Sequence, residues 1–335
     1  MTRRNAIFSV LLMGGPLRLL VLARKVSQTG AGFNGMGRQL RRVDETLATI
    51  GAASGQPILI AGPTASGKSA LALHLAETQG GIVINADALQ VFDRWPILTA
   101  QPTAADRGRA PHALYGHVAY DASYSVGRWL RDVLPYLTGP QRPIIVGGSG
   151  LYFSALTDGL ALIPPVPTEI RVQADAMVLA ELLAGIDPRT RQRIDPLNRA
   201  RVQRAWEVQA STGRGLSDWQ ADTPAPMLDL MQAKAVVLRP DVDWLNHRIT
   251  ARFAAMLDNG ALFEAKAMRP DWNPAHLSAK AIGAAGLIAH LDGDLSLDQA
   301  RDTAIIASRQ YAKRQRTWFR ARMQDWTVLD PADWS

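Results

Sequence analysis

Residues 57–79 read PILIAGPTASGKSALALHLAETQ, and this stretch decides the fold. Ile58, Leu59, Ile60 and Ala61 make a short apolar run without alternation, the pattern of a strand covered on both faces. Gly62, Pro63, Thr64, Ala65, Ser66, Gly67, Lys68 and Ser69 then satisfy GxxxxGK[ST]. Residues 70–78 are helix formers with one apolar side. A glycine-bearing turn between strand and helix points successive backbone N–H groups at an anion, and the helix adds the positive end of its dipole. Lys68 supplies a cation for a terminal phosphate, and the Ser69 hydroxyl supplies a ligand for Mg²⁺.

Working outward, short apolar runs recur at 82–84, 144–146 and 236–238, separated by helical stretches. That order predicts an α/β fold: a P-loop, doubly wound parallel sheet. Between 164 and 226 the strand signal disappears. Residues 169–183 and 198–212 read as helices between proline-rich joints, a small helical domain inserted into the core. Further helices are expected at 242–258, 260–268, 278–291 and 297–323. The divisions are therefore 1–54, 55–165 (core, first part), 166–224 (insertion) and 225–326 (core completion with basic C-terminal helices).

The chain has 335 residues and no cysteine. That excludes a disulfide scaffold, a Cys-ligated zinc and a thiol nucleophile. No apolar run reaches the ~18 residues of a membrane span. The net charge of +7 comes from one end. Residues 1–42 hold eight basic side chains and no acid, leaving 29 basic against 30 acidic groups elsewhere. Residues 1–54 are read as a disordered basic arm, with a targeting peptide as the weaker alternative because Gly14-Gly15-Pro16 interrupts its apolar run.

A nucleotide hydrolase carries an acid at the end of a second strand to hold Mg²⁺. Here the run 144–146 passes into Gly147-Gly148-Ser149-Gly150 instead. The nearby carboxylate is Asp87, after the run 82–84, facing the crevice at the strands' C-terminal ends. A carboxylate beside phosphates repels them, so it suits handling a proton or an amine. A helix N-cap is the other reading of Asp87.

The strings GPTASGKSALALHLA, INADALQVF, TAQP, PHALYGHV, YSVGRWL, IIVGGSGLYFSALTDGL, RVQRAWEVQASTG and SRQYAKRQRTWFR occur in this order. Together they resemble the bacterial tRNA dimethylallyltransferases, from about residue 57 to 326. The resemblance implies transfer of a dimethylallyl group from dimethylallyl diphosphate to the exocyclic amine of the adenosine 3′ to the anticodon. It implies that the cradle at 62–69 holds the diphosphate, with Mg²⁺ on Ser69, Lys68 stabilising the leaving group and Asp87 taking the amine proton. It also assigns Arg171 to phosphate, and Ser149 to the adenosine or the Asp87 carboxylate. Departures from the family pattern are Gln101 in place of lysine, Ser149 in place of threonine, and Ala284-Ala285 in place of a tyrosine and an arginine. A cytoplasmic monomer without membrane contact is expected.

Two basic clusters could grip RNA: seven arginines over 189–214, and seven basic residues over 301–322. In the second, Arg309, Lys313, Arg316 and Arg320 recur at helical spacing and form one stripe. A merely solvated helix face is the alternative. The tRNA-contacting set expected is Asp87, Ala88, Leu89, Gln90, Ala200, Arg201, Val202, Gln203, Arg204 and that stripe, with the Gln90 amide reading an adenine edge as the resemblance implies. Competing functions are an adenylate isopentenyltransferase, a P-loop small-molecule kinase and a non-catalytic P-loop RNA-binding module. The missing acid after 146 weighs against the kinase. The basic surfaces weigh against a free-nucleotide substrate, and Asp87 against a purely binding module.

Overall fold

The computed structural model of the chain describes residues 55–333; the expected basic arm over 1–54 lies outside them. The sheet has six strands: β1 (Ile58–Ala61), β2 (Ile82–Asn85), β3 (His112–Ala113), β4 (Pro143–Gly147), β5 (Lys234–Leu238) and β6 (Thr327–Leu329). All pairings are parallel, in the order β3-β2-β4-β1-β5-β6. The four apolar runs of the sequence are β1, β2, β4 and β5. The two outer strands were not expected, because two and three residues are too few to carry a period. β6 pairs Thr327 with Val236, so the core continues past residue 326.

Both faces of the sheet are covered, which is why its strands are uniformly apolar. Helices α1 (Lys68–Gln79), α2 (Ala104–Arg109), α3 (Val126–Leu137) and α4 (Gly150–Thr157) fill the first crossovers. Ile58, Ile60, Val83, Ile144 and Val146 face Leu71 and Leu75 of α1. Leu59, Ile84, Ile145 and Val237 face Trp129 of α3 and Phe153 and Leu156 of α4. Each such fully buried aliphatic contributes about 1.5–3 kcal/mol relative to exposure. The sheet is thus a fixed platform that presents the loops at its C-terminal edge.

Between α4 and β5 the chain forms five further α-helices: α5 (Thr168–Ala176), α6 (Leu179–Ala184), α7 (Pro188–Arg191), α8 (Arg199–Thr212) and α9 (Leu216–Ala221). They gather around Ala174, Leu182, Ile186, Val202, Ala205 and Trp206. The single helix expected over 169–183 is two, because Met177 and Val178 are extended. The Glu181 carboxylate then accepts the Val178 N–H and starts α6 afresh.

After β5 come α10 (Val242–Asp258), α11 (Ala261–Met268), α12 (Ala284–Asp292) and α13 (Leu297–Arg322). The helix expected at 278–291 is a 3₁₀ turn followed by α12, since Gly283 takes φ +100°. These helices share a core in which Leu245, Ile249 and Phe253 meet Ala65, Trp95 and Leu98. The loop after β1 is therefore packed against α10. Among the described residues, no helix is long and apolar enough to cross a membrane.

Candidate active site

The loop between β1 and α1 is held from three sides. The Gly62 N–H donates to the Gly147 carbonyl at 3.3 Å, tying it to β4. The Thr64 N–H donates to Gln315 Oε1 of α13 at 2.8 Å. The Ala65 carbonyl accepts Arg248 Nε of α10 at 3.0 Å. Ala65 has φ +63° and Gly67, the N-cap of α1, φ +90°. Left-handed backbone at two of these positions curls the loop around its own centre, and a side chain at 65 holds it only under tertiary constraint. The buried Ser66 hydroxyl has no hydrogen-bond partner among the described residues.

Lys68, half-buried, reaches back to the Pro63 carbonyl at 3.3 Å. Burial pushes its ammonium down to about 8; Asp87 opposes that shift, and Arg252 adds to it. Arg252 Nη1 lies 3.3 Å from Thr64 Oγ1. Burial also lowers Arg252, with Asp87 acting the other way. Two cations drawn out of water and one carboxylate thus share a cavity whose polar lining also includes Thr64, Gln90, Thr99 and Ser308. Leu98, Ile249, Phe253, Met256 and Ile282 line its apolar part. Two such cations beside a curled set of N–H groups make a site for a multiply charged anion.

Asp87 follows β2 and is not a helix N-cap: its Oδ1 accepts the Leu89 N–H at 3.0 Å within a turn. The buried Asn85 accepts the Asp87 N–H at 2.8 Å, and its amide donates to the Asp87 and Leu114 carbonyls, each at 3.0 Å. Trp129 Nε1 donates to the Asn85 carbonyl at 2.8 Å. The carboxylate is therefore fixed from behind. Tyr311, half-buried on α13, lines the same cavity. Burial, with Asp87 nearby, pushes its hydroxyl well above its ordinary range, so it stays neutral.

Other expected site residues are placed differently. Ser149 Oγ accepts the Ala88 N–H at 2.9 Å rather than bonding to Asp87. It thereby joins the loop after β4 to the one after β2. The Gln90 amide donates to the Thr99 and Ala100 carbonyls at 2.8 and 2.9 Å, so its N–H₂ is committed to the backbone and a bidentate contact with adenine is closed to it in this state. Ala88 is exposed and Leu89 half-buried beside Asp87. Ser69 is exposed and opens onto a neighbouring cavity with Gln101, Asp106, Arg109 and Tyr115. Gln101 itself donates to the Phe92 carbonyl at 2.7 Å.

Arg171 is exposed on α5 and is not among the residues lining the Lys68 cavity; its charge is felt by Arg204 instead. Val202 is fully buried in the insertion's core, because a β-branched apolar residue on that face of α8 packs on Ala174 and Leu182, so it has no surface for RNA. Gln203 bonds Asp175 at 2.6 Å and Glu207 at 3.1 Å. Four of the seven arginines over 189–214 likewise have internal partners: Arg189 on Asp218, Arg199 on the Ala174 and Asp175 carbonyls, Arg204 on Glu207, and Arg214 on Asp222. Ala200, Arg201 and Arg204 line a wide cleft together with Arg193, Trp318 and Arg322, between the insertion and α13. On α13, Arg309, Lys313 and Arg320 are exposed and Arg316 half-buried, while Ala312, Gln315 and Phe319 face inward. Arg309 also donates to Thr250 Oγ1 at 3.0 Å.

Four residues of this region were not singled out from the sequence: Arg248, Arg252, Gln315 and Glu264. Glu264 accepts the Ile97 and Leu98 N–H groups at 2.7 and 3.0 Å and braces the cavity wall; burial pushes its carboxyl up. A signal for the arginines existed. They border the stripe Leu245, Ile249, Phe253 at helical spacing, the edge from which a side chain reaches past a packed face.

A GxxxxGK[ST] loop leading from β1 into α1 of a parallel sheet, with a separate carboxylate after β2, defines a P-loop fold of α/β class. More narrowly, the chain belongs to the IPP transferase family, whose model matches residues 90–322. It is 58% identical over 276 residues to a tRNA dimethylallyltransferase of Ruegeria sp. (strain TM1040), covering 82% of this chain and 96% of that one. It is 59% identical over 276 residues to that of Roseobacter denitrificans, covering 82% and 99%. Among solved structures, the tRNA isopentenylpyrophosphate transferase of Bacillus halodurans matches with TM-score 0.60 and 31% identity over 82% of this chain and 90% of that one. A eukaryotic dimethylallyltransferase described as acting on tRNA matches with TM-score 0.71 and 25% identity over 82% and 73%.

Proposed function

We propose that this protein transfers a dimethylallyl group from dimethylallyl diphosphate to the exocyclic amine of the adenosine 3′ to the anticodon of tRNA. The observation that carries the reading is the single carboxylate, Asp87, in one cavity with Lys68 and Arg252, beside an apolar stretch of wall formed by Leu98, Ile249, Phe253, Met256 and Ile282. The names of the relatives support it.

The chemistry follows from those groups. The allylic C–O bond breaks, and its electron pair leaves with the diphosphate. Lys68, Arg252 and the loop N–H groups stabilise the charge that grows there. The amine lone pair forms the new C–N bond, and the amine proton passes to Asp87. The apolar wall at Leu98 and Phe253 keeps water from the allyl carbon. Asp87 is held by Asn85 and the Leu89 N–H, so it waits in place.

Among the described residues no cluster of three His, Cys, Asp or Glu could hold a metal alone. Mg²⁺ accepts such a site when one hydroxyl joins substrate phosphates and waters. The Ser69 hydroxyl, next to Lys68 at the first turn of α1, is the hard oxygen available for this role, although it lines the neighbouring cavity rather than the Lys68 one. A bound Mg²⁺ would neutralise charge on the leaving diphosphate.

The tRNA would lie across the cleft between the insertion and α13, where Arg193, Arg201, Arg204 and Arg322 face one space. A loop base is cheap to extrude from its stack, which lets the amine reach Asp87. The test is incubation of the purified protein with labelled dimethylallyl diphosphate and, in parallel, tRNA, AMP or small hydroxyl acceptors with ATP. Label in tRNA alone is expected. Label in AMP, or phosphate transfer from ATP, would refute the reading.

A further inference from the structure

Gln315 is a buried amide, 5% exposed, on the inward face of α13. Its Oε1 accepts the Thr64 N–H at 2.8 Å, and its Nε2 donates to the Gly148 carbonyl at 2.9 Å. Those partners lie 251 and 167 residues away in the chain, on the loops after β1 and β4. Tyr311, one turn earlier, places its hydroxyl beside Gln315 and Ser149. A Cβ on Gly148 would stand 2.2 Å from Gln315 Nε2, so the bare backbone at 148 is what admits the amide.

The connections beyond these two bonds give them their meaning. Thr64 carries the hydroxyl that meets Arg252. Gly148 precedes Ser149, which holds the Ala88 N–H next to Asp87. One side chain therefore ties the anion-binding loop and its arginine to the segment that carries the carboxylate. It also takes the Thr64 N–H out of the set that can face a phosphate. The task needs one acceptor and one donor on a single planar group of this length, which a glutamine supplies.

We propose that Gln315 is a positioning residue for group transfer: its amide sets the separation between the diphosphate cradle and Asp87. The proposal rests on the functional reading above. The basic stripe occupies the outer side of the same helix, so a loss of positioning is separable from a loss of tRNA affinity.

The experiment uses the full chain with Gln315→Met and Gln315→Glu, dimethylallyl diphosphate and tRNA. Methionine keeps the volume and removes both bonds. Its kcat/KM for dimethylallyl diphosphate should fall by roughly 10²-fold, the scale of a misplacement near 1 Å. Its tRNA dissociation constant and salt dependence should match wild type. Glutamate separates positioning from packing. Its ionised form accepts the Thr64 N–H but turns a lone pair on the Gly148 carbonyl. Its protonated form restores the donor. The ratio of its kcat/KM to wild type at the same pH should therefore rise as the pH is lowered from 8 towards 5.5. A merely space-filling residue gives a flat ratio. A flat ratio, a wild-type kcat/KM in Gln315→Met, or a matching loss of tRNA affinity would overturn the proposal. Should Gln315→Met fail to fold, the Gln315→Glu ratio alone decides. Wild-type protein that transfers no label at all would overturn the functional reading beneath it.

Discussion

Raising the pH from 7 to 9 should weaken diphosphate binding about tenfold, through Lys68. Burial brings the unliganded ammonium down to about 8, so at pH 9 roughly one molecule in eleven carries the charge. A bound diphosphate replaces the lost hydration and returns the group towards its ordinary value, so binding takes up a proton between about pH 8 and 10.5. The ligand's own last ionisation lies near pH 6, well below this window. The unfolded chain holds a lysine of ordinary basicity. Over the same window it binds more protons than the unliganded fold, whose stability therefore rises with pH while its affinity falls. Calorimetric titration with dimethylallyl diphosphate at pH 7, 8 and 9, in two buffers of different ionisation enthalpy, counts the protons directly. Lys68→Arg should bind with little pH dependence, since a guanidinium stays charged throughout. Affinity that is flat in the wild type, with no proton uptake, would refute the reasoning.

Asp87→Asn should lower the single-turnover rate by ~10²–10⁴-fold while diphosphate binding is kept or tightened, since the negative neighbour is gone; rapid-quench assays beside diphosphate titrations check both halves. Arg252→Gln should raise KM for dimethylallyl diphosphate and lower kcat, with tRNA affinity unchanged in filter binding. Replacing Lys313 and Arg320 with Gln, both exposed on α13, should flatten the log–log salt slope of tRNA binding by about one to two units; an unchanged slope would leave that face merely solvated. Gly148→Ala should lower the melting temperature, because its methyl would meet the Gln315 amide at 2.2 Å while the bonds of Ala86 to the Val146 carbonyl and the Ser149 N–H hold the backbone on either side.

The stretch 57–79 was legible because everything it needs is local: an apolar run, a glycine-bearing turn and helix formers in immediate succession. The inward and outward faces of α13 were legible for the same reason, since 100° per residue separates Phe319 from Arg320 without any knowledge of partners. Legibility failed where a residue's meaning lies across the fold. Arg252 reaches Thr64 over 188 positions and Gln315 reaches it over 251, so no window of sequence holds both ends. Arg171 and Val202 failed differently. Their types suited the expected roles, but packing turns Val202 into the core of the insertion, and the position of α5 leaves the exposed Arg171 outside the lining of the Lys68 cavity. Gln90 likewise has the chemistry to read a base, and spends its N–H₂ on bracing residues 99 and 100. β3 and β6 are held by neighbours rather than by propensity, which leaves them invisible to periodicity.

The most direct test of the central claim is mass analysis of nucleosides from tRNA incubated with the purified protein, dimethylallyl diphosphate and Mg²⁺, without ATP. The account predicts isopentenyladenosine at the position 3′ to the anticodon, formed by wild type and nearly absent with Asp87→Asn. Unmodified adenosine at that position after incubation with folded, diphosphate-binding protein would contradict it.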